Sequence, residues 1–119
     1  MKVAEPVQEP TSTIATQHKG GRYFLIALRG EWDLYNRPEL EAALLEAKAA
    51  AETLVVLDLS RATFIDSSVL GALVKARKRM LDRVRIAVVA EDRQIRKVFE
   101  ITGLDGVFSL HESLAELGA

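Results

Sequence analysis

Hydrophobic residues follow two periods along this chain, and the switches between them outline the elements. Thr11–Gln17 alternates weakly between apolar and polar positions, the pattern of an edge strand. His18-Lys19-Gly20-Gly21 is a turn signal, and the apolar run Tyr23–Leu28 then predicts a second strand, in a hairpin with the first and ending at Gly30. From Pro38 to Ala51 the period lengthens to that of a helix: Leu40, Ala43, Leu44, Ala47 and Ala51 share one face. Asn36 is its candidate N-cap, with Pro38, Glu39 and Glu41 suited to a first turn. Leu54–Leu57 reads as a central strand buried on both faces and ending near Asp58. Ser67–Arg83 is a second long helix, with Leu70, Leu73, Val74 and Leu81 as its apolar stripe. Arg85–Ala90 is another buried strand. Asp92 caps a third helix through Thr102, with Ile95, Val98 and Phe99 inward and Gly103 placed to end it. Val107–Leu110 is a short strand, and Ser109 and Glu112 have capping-box spacing before a last helix, Glu112–Leu117.

The order is therefore β-β-α-β-α-β-α-β-α. Strand–helix alternation at this spacing predicts an α/β fold with a mixed, mostly parallel sheet and right-handed crossovers, antiparallel only at the hairpin edge. Residues 1–10 carry mixed charge, two prolines and no period, and read as a flexible arm before a single domain over residues 11–119.

Composition narrows the chemistry. The 119 residues include no cysteine, which excludes disulfide scaffolds, thiolate zinc sites and thiol catalysis. Two histidines, His18 and His111, leave little for metal binding or Ser-His catalysis, and no metal or cofactor is expected. The first ten residues lack the apolar run of a secretory leader, and no stretch is long and apolar enough to span a membrane, so the expected location is the cytoplasm. The net charge is −1, yet residues 31–58 hold seven acids against two bases and residues 75–97 nine bases against three acids. Solvated helix faces are the ordinary reading of such runs. A docking surface is the sharper one: Lys75, Lys78 and Arg79, at i, i+3 and i+4, present together on the second helix. No aromatic residue is interleaved with these bases, which argues against direct nucleic-acid binding.

The most informative segment runs from Leu57-Asp58-Leu59 to Phe64-Ile65-Asp66-Ser67-Ser68-Val69. A buried strand leads through a loop into a helix, and functional sites of open α/β sheets gather at such carboxyl ends of strands. A serine there can cap exposed amides, or accept a phosphoryl group whose charge the helix dipole tolerates. In the capping reading Ser67 is the N-cap and Ser68 the first helical residue. A catalytic serine would need a base, and no spacing places His18 or His111 beside Ser67.

Four blocks together resemble the STAS domain family, specifically the bacterial anti-sigma factor antagonists: Gly30-Glu31-Trp32-Asp33 with the helix entry Tyr35-Asn36-Arg37-Pro38-Glu39-Leu40; Leu57-Asp58-Leu59 through Asp66-Ser67-Ser68; Arg96-Lys97-Val98-Phe99-Glu100-Ile101-Thr102-Gly103-Leu104; and Val107-Phe108 through Leu117. The resemblance spans residues 12–117. It implies a non-enzymatic adapter whose unphosphorylated form binds an anti-sigma factor that is also a serine kinase, so releasing the sigma factor, and which a PP2C-type phosphatase restores. It implies Ser67 as the phosphoacceptor, with Asp33, Asp66 and Ser68 beside it. Other STAS roles, as a stressosome scaffold or a lipid-transport accessory, stay open within the family. Nucleotide binding is the alternative from another class, without a P-loop or Rossmann glycine pattern to support it. Two positions depart from the family pattern. Val69 stands where many members have glycine and alters how closely a partner can approach. Trp32 stands in place of leucine, either packing the turn or anchoring a contact. The oligomeric state is left open.

Overall fold

The chain forms β1 (Thr13–His18), β2 (Phe24–Trp32), α1 (Arg37–Ala50), β3 (Leu54–Ile65), α2 (Ser67–Met80), β4 (Arg85–Val89), α3 (Arg93–Ile101) and β5 (Ser109–His111), with 3-10 turns at Leu104–Gly106 and Leu114–Leu117. This is a computed structural model, which describes residues 12–20, 22–50, 53–80 and 83–117. The expected arm over residues 1–10, and the positions expected for Thr11, Gly21, Ala51 and Leu81, lie outside the described residues.

The strands form one sheet in the order β1-β2-β3-β4-β5, with β1 antiparallel to β2 and every other pair parallel. Sequential order with right-handed crossovers puts all three helices on one face. Alternation along the strands feeds that face: Phe24, Ile26 and Leu28 of β2, Val55, Leu57 and Leu59 of β3, and Ile86 and Val88 of β4 pack with Leu40, Leu44, Leu73, Ile95 and Phe99 of the helices. The opposite face carries a smaller cluster, Tyr23, Val56 and Val89, under Leu114 and Leu117. Side chains three apart eclipse in a 3-10 turn, so both leucines fall on the sheet side. The sequence therefore sets a short 3-10 cover here, where a helix over Glu112–Leu117 was expected; Glu112 donates its amide to the Glu116 carboxylate instead of closing a capping box with Ser109. The fifth strand, Ser109–His111, starts two residues and ends one residue later than expected, the start because Val107 and Phe108 return their amides to Leu104 in the preceding turn.

The helix ends follow local chemistry where that chemistry is unambiguous. Asp92 Oδ1 accepts the amides of Gln94 and Ile95 at 2.7 and 3.2 Å and starts α3, and Gly103, at φ 75°, takes the left-handed conformation that ends it. α2 is described as far as Met80, and Arg83, its expected end, stands in a turn outside the helix.

Two strands run further than their hydrophobic runs suggest. β2 passes through Gly30 and ends at Trp32; β3 extends to Ile65 where a loop after Asp58 was expected. The cause is their pairing. Ala27 faces Asp58 but Arg29 faces Arg61, and Gly30 faces Ala62 but Glu31 faces Phe64, so β3 absorbs an extra residue at each step. Gly30 at φ 85° supplies the backbone freedom beside the second step. The two strands finish side by side, Trp32 against Ile65.

Candidate functional site

The long β2–β3 ladder delivers two aspartates to one corner. Asp33 and Asp66 each follow the last residue of a paired strand, and the Asp66 amide donates to the Trp32 carbonyl at 3.2 Å. Asp33 then builds a tight turn: its Oδ1 accepts the Tyr35 amide at 2.9 Å, while its own amide donates to Asn36 Oδ1 at 2.8 Å. Asn36 stands just before α1, as expected of an N-cap, but its side chain braces this turn and donates to the Glu31 carbonyl and to Ser12 Oγ.

Asp66 is the residue that caps α2. Its Oδ1 accepts the Ser68 amide at 2.9 Å, the Val69 amide at 3.2 Å and the Ser68 hydroxyl at 2.6 Å. This moves the expected cap back by one residue. Ser67 is the first helical residue, exposed, and its hydroxyl takes no part in the cap; Ser68 is the second, half-buried, with its hydroxyl held by Asp66. The two serines thus differ in availability through the position of one carboxylate.

Desolvation pushes the Asp66 carboxyl up, but the hydrogen bonds from the Ser68 hydroxyl and from the Val69, Ser68 and Leu34 amides outweigh it and hold the group below the usual carboxylate range. A carboxyl depressed in the folded state stabilises the fold above its unfolded pKa, about 3.9, and that stabilisation is lost as pH falls through the folded value. Asp66→Ala is therefore expected to cost about 1 kcal/mol at neutral pH. Urea denaturation at pH 7 and again near pH 2 should show the gap between wild type and variant closing in acid.

Three large apolar side chains within two residues of Asp33 or Asp66 stand in solvent: Leu34 is 57 % exposed, Tyr35 92 % and Phe64 48 %. Leu34 and Tyr35 belong to the Asp33 turn, and Phe64 points away from the core between buried Ala62 and Ile65 on β3. Sequence reasoning passed over them as contact residues; the available signal was two adjacent large apolar residues inside a turn, where burial is unattainable. Gly71, one helical turn after Ser67, adds a bare strip of α2 where a Cβ would meet nothing within 4 Å.

Two candidate partner-contact residues are buried: for Trp32 the packing alternative holds, and Val69, expected to affect a partner's approach, faces the core. Trp32 is 0 % exposed because it continues the inward alternation of β2, and its indole N–H donates to the Arg29 carbonyl at 3.1 Å. Val69 is likewise fully buried, on the core side of α2, so it offers a partner no surface. Lys75, Lys78 and Arg79 are exposed as expected, but toward the far end of α2, away from Ser67. Neither histidine reaches the corner: His18 pairs with Phe24 at the opposite end of β2, and His111 lies on β5 beside Glu116. Among the described residues no three His, Asp or Glu side chains converge as metal ligands, and no helix is long and apolar enough to cross a membrane.

The family profile described as "Mlab, STAS domain" matches residues 15–114. The chain belongs to the STAS domain family. The anti-sigma-F factor antagonist RsfB of Mycobacterium tuberculosis is 33% identical over 104 residues, covering 87% of this chain and 83% of the relative. Among solved structures, an anti-sigma factor antagonist from Mycobacterium paratuberculosis superposes with a TM-score of 0.83 at 27% identity, over 93% of this chain and 95% of the other. The Bacillus cell fate determinant SpoIIAA in its phosphorylated form shares the fold, with a TM-score of 0.65 at 22% identity, over 87% of this chain and 95% of the other. The two mycobacterial relatives place this STAS domain among the anti-sigma factor antagonists, a regulatory and non-enzymatic class.

Proposed function

We propose that this STAS domain is a partner switch controlled by phosphorylation of Ser67. In its unphosphorylated form it docks an anti-sigma factor that is also a serine kinase onto the corner formed by Leu34, Tyr35 and Phe64, and so frees the sigma factor in the cytoplasm. A PP2C-type phosphatase resets it. The observation that carries the reading is the contrast between neighbouring serines: the Ser67 hydroxyl is exposed on the first turn of α2, while that of Ser68 is bonded to Asp66 at 2.6 Å. A phosphate on Ser67 adds roughly −1.5 to −2 charge near neutral pH. The N-terminus of α2 tolerates it, because its unpaired amides favour an anion. A partner packed against exposed apolar side chains does not, because Asp33, Asp66 and the phosphate then have to be desolvated together. That a protein of this fold is seen phosphorylated supports the reading.

The test is site-resolved mass spectrometry after incubation with the cognate kinase and ATP. Phosphate is expected on Ser67 of wild type and of Ser68→Ala, and to be absent from Ser67→Ala, whose stability should stay within about 0.5 kcal/mol of wild type because this hydroxyl caps nothing. Phosphate on Ser68 alone, or on neither serine, defeats the proposal.

A further inference from the structure

A second surface, separate from the Ser67 corner, lies in the groove between α1 and α2. Its floor is apolar and closely packed: Leu44 from α1, with Ala72, Ala76 and Met80 from α2, all buried. Leu45 stands on its α1 wall 59 % exposed, a large apolar side chain with no cover. Lys48, Lys75 and Arg79 line the same groove. The one acid there, Glu41, is engaged by Arg37 at 3.3 Å, and no ion pair among the described residues takes up the three cations. Cations near the C-terminus of a helix complement its dipole, which accounts for bases in the last turn of α2. It does not account for their convergence with Lys48 of α1 around an apolar floor.

We propose that this groove seats an acidic amphipathic helix of a partner protein. The chemistry selects that occupant. Two helices side by side leave a channel into which a third can set its apolar ridge, and alanines at 72 and 76 keep the α2 side low enough for close approach. Leucines on the incoming helix would cover Leu45 and the floor, and acids flanking them would meet Lys48, Lys75 and Arg79. A second copy set groove against groove fits poorly, because both α2 helices carry Lys75, Arg77, Lys78 and Arg79 with no acid and would repel. A nucleic acid would leave the apolar floor unmatched and find no aromatic residue to stack on. Lys75 and Arg79 lie about 12 and 18 Å along the helix from Ser67 at 1.5 Å per residue, so the groove can be filled whatever the state of that serine.

The probe is a synthetic helical peptide of about 15 residues, with leucines at i, i+3, i+4 and i+7 on one side and glutamates on the other, titrated into the 15N-labelled full chain. Amide shifts are expected to centre on Leu45, Ala72 and Ala76. Affinity should fall about tenfold or more in Lys75→Glu/Arg79→Glu, fall again with added salt, and stay unchanged in Ser67→Asp. Retained peak dispersion in the double variant shows that the loss is one of binding rather than of folding. Equal binding of a scrambled peptide overturns the proposal. So do shifts confined to Leu34, Tyr35 and Phe64, or tighter occupation of the groove by phosphatidylglycerol vesicles or duplex DNA than by the peptide.

Discussion

Ser67→Asp is expected to weaken binding to the anti-sigma factor roughly 10–100-fold, while thermal unfolding and helix content stay at wild-type values. The added carboxylate joins Asp33 and Asp66 at the ends of two adjacent strands, so any partner surface closing over the corner has to desolvate like charges together. A 10–100-fold loss corresponds to about 1.4–2.7 kcal/mol, modest beside a full phosphate because a side-chain carboxylate supplies only one charge. The fold is spared for a local reason: a negative group in the first turn of α2 interacts favourably with the helix dipole, and the Asp66 cap that starts the helix is untouched. Tyr35→Ala and Phe64→Ala should each reduce the same binding by about tenfold, as exposed aromatic anchors do at protein interfaces. Calorimetric titration of the purified anti-sigma factor separates the cases. If Ser67→Asp binds within twofold of wild type while Tyr35→Ala does not, the corner is a docking surface without a charge switch. If all three bind normally, the partner docks elsewhere.

Much of this corner is legible in the sequence, and what is not has a physical reason. The α-helices and β4 follow hydrophobic periods, and their described boundaries drift by only a residue or a few. The ends of β2 and β3 are harder. Gly30 and the polar stretch Ser60-Arg61 look like breakers in one dimension, but each strand supplies the other with a ladder, and two bulges absorb the mismatch in length. Pairing of that kind is decided by residues more than thirty positions apart and leaves no local signal. The cap shows the same limit on a smaller scale. Asp66, Ser67 and Ser68 are all good cap residues, and composition alone cannot rank them. What chooses Asp66 is the bond from its amide to the Trp32 carbonyl, which holds its backbone in the strand while the next residue turns into the helix. The site depends on that choice, since it leaves Ser67 exposed and ties Ser68 down. Trp32 illustrates the opposite ambiguity: a tryptophan in a glycine-marked turn fits a contact anchor as well as a core residue until the strand is known to continue through Gly30.

Trp32→Ala is expected to be among the most destabilising single changes in the molecule, about 3–5 kcal/mol. The side chain is fully buried and among the largest in the core, so its removal loses the burial of an indole and leaves a cavity that neighbours on β2 and β3 can close only in part. It also strips the Arg29 carbonyl of the indole N–H that bonds it at 3.1 Å. Set against the roughly 5–15 kcal/mol that holds a domain together, this brings the variant near its unfolding threshold. Trp32→Phe keeps most of the volume and loses the hydrogen bond, so it should cost less, on the order of 1–2 kcal/mol. The damage should reach the site as well, because the Trp32 carbonyl receives the Asp66 amide and the next residue is Asp33. Phosphorylation of Ser67 in Trp32→Phe is thus expected to slow under conditions where the variant is still folded. Because Trp32 is the only tryptophan, the premise can be checked directly in the wild-type protein. Its fluorescence should be blue-shifted and resistant to acrylamide in the native state, and should move to the red together with the loss of helix signal in urea. An indole that emits and quenches as a solvent-exposed group, or a Trp32→Ala variant within 1 kcal/mol of wild type, would return this residue to the surface and reopen its role as a partner contact.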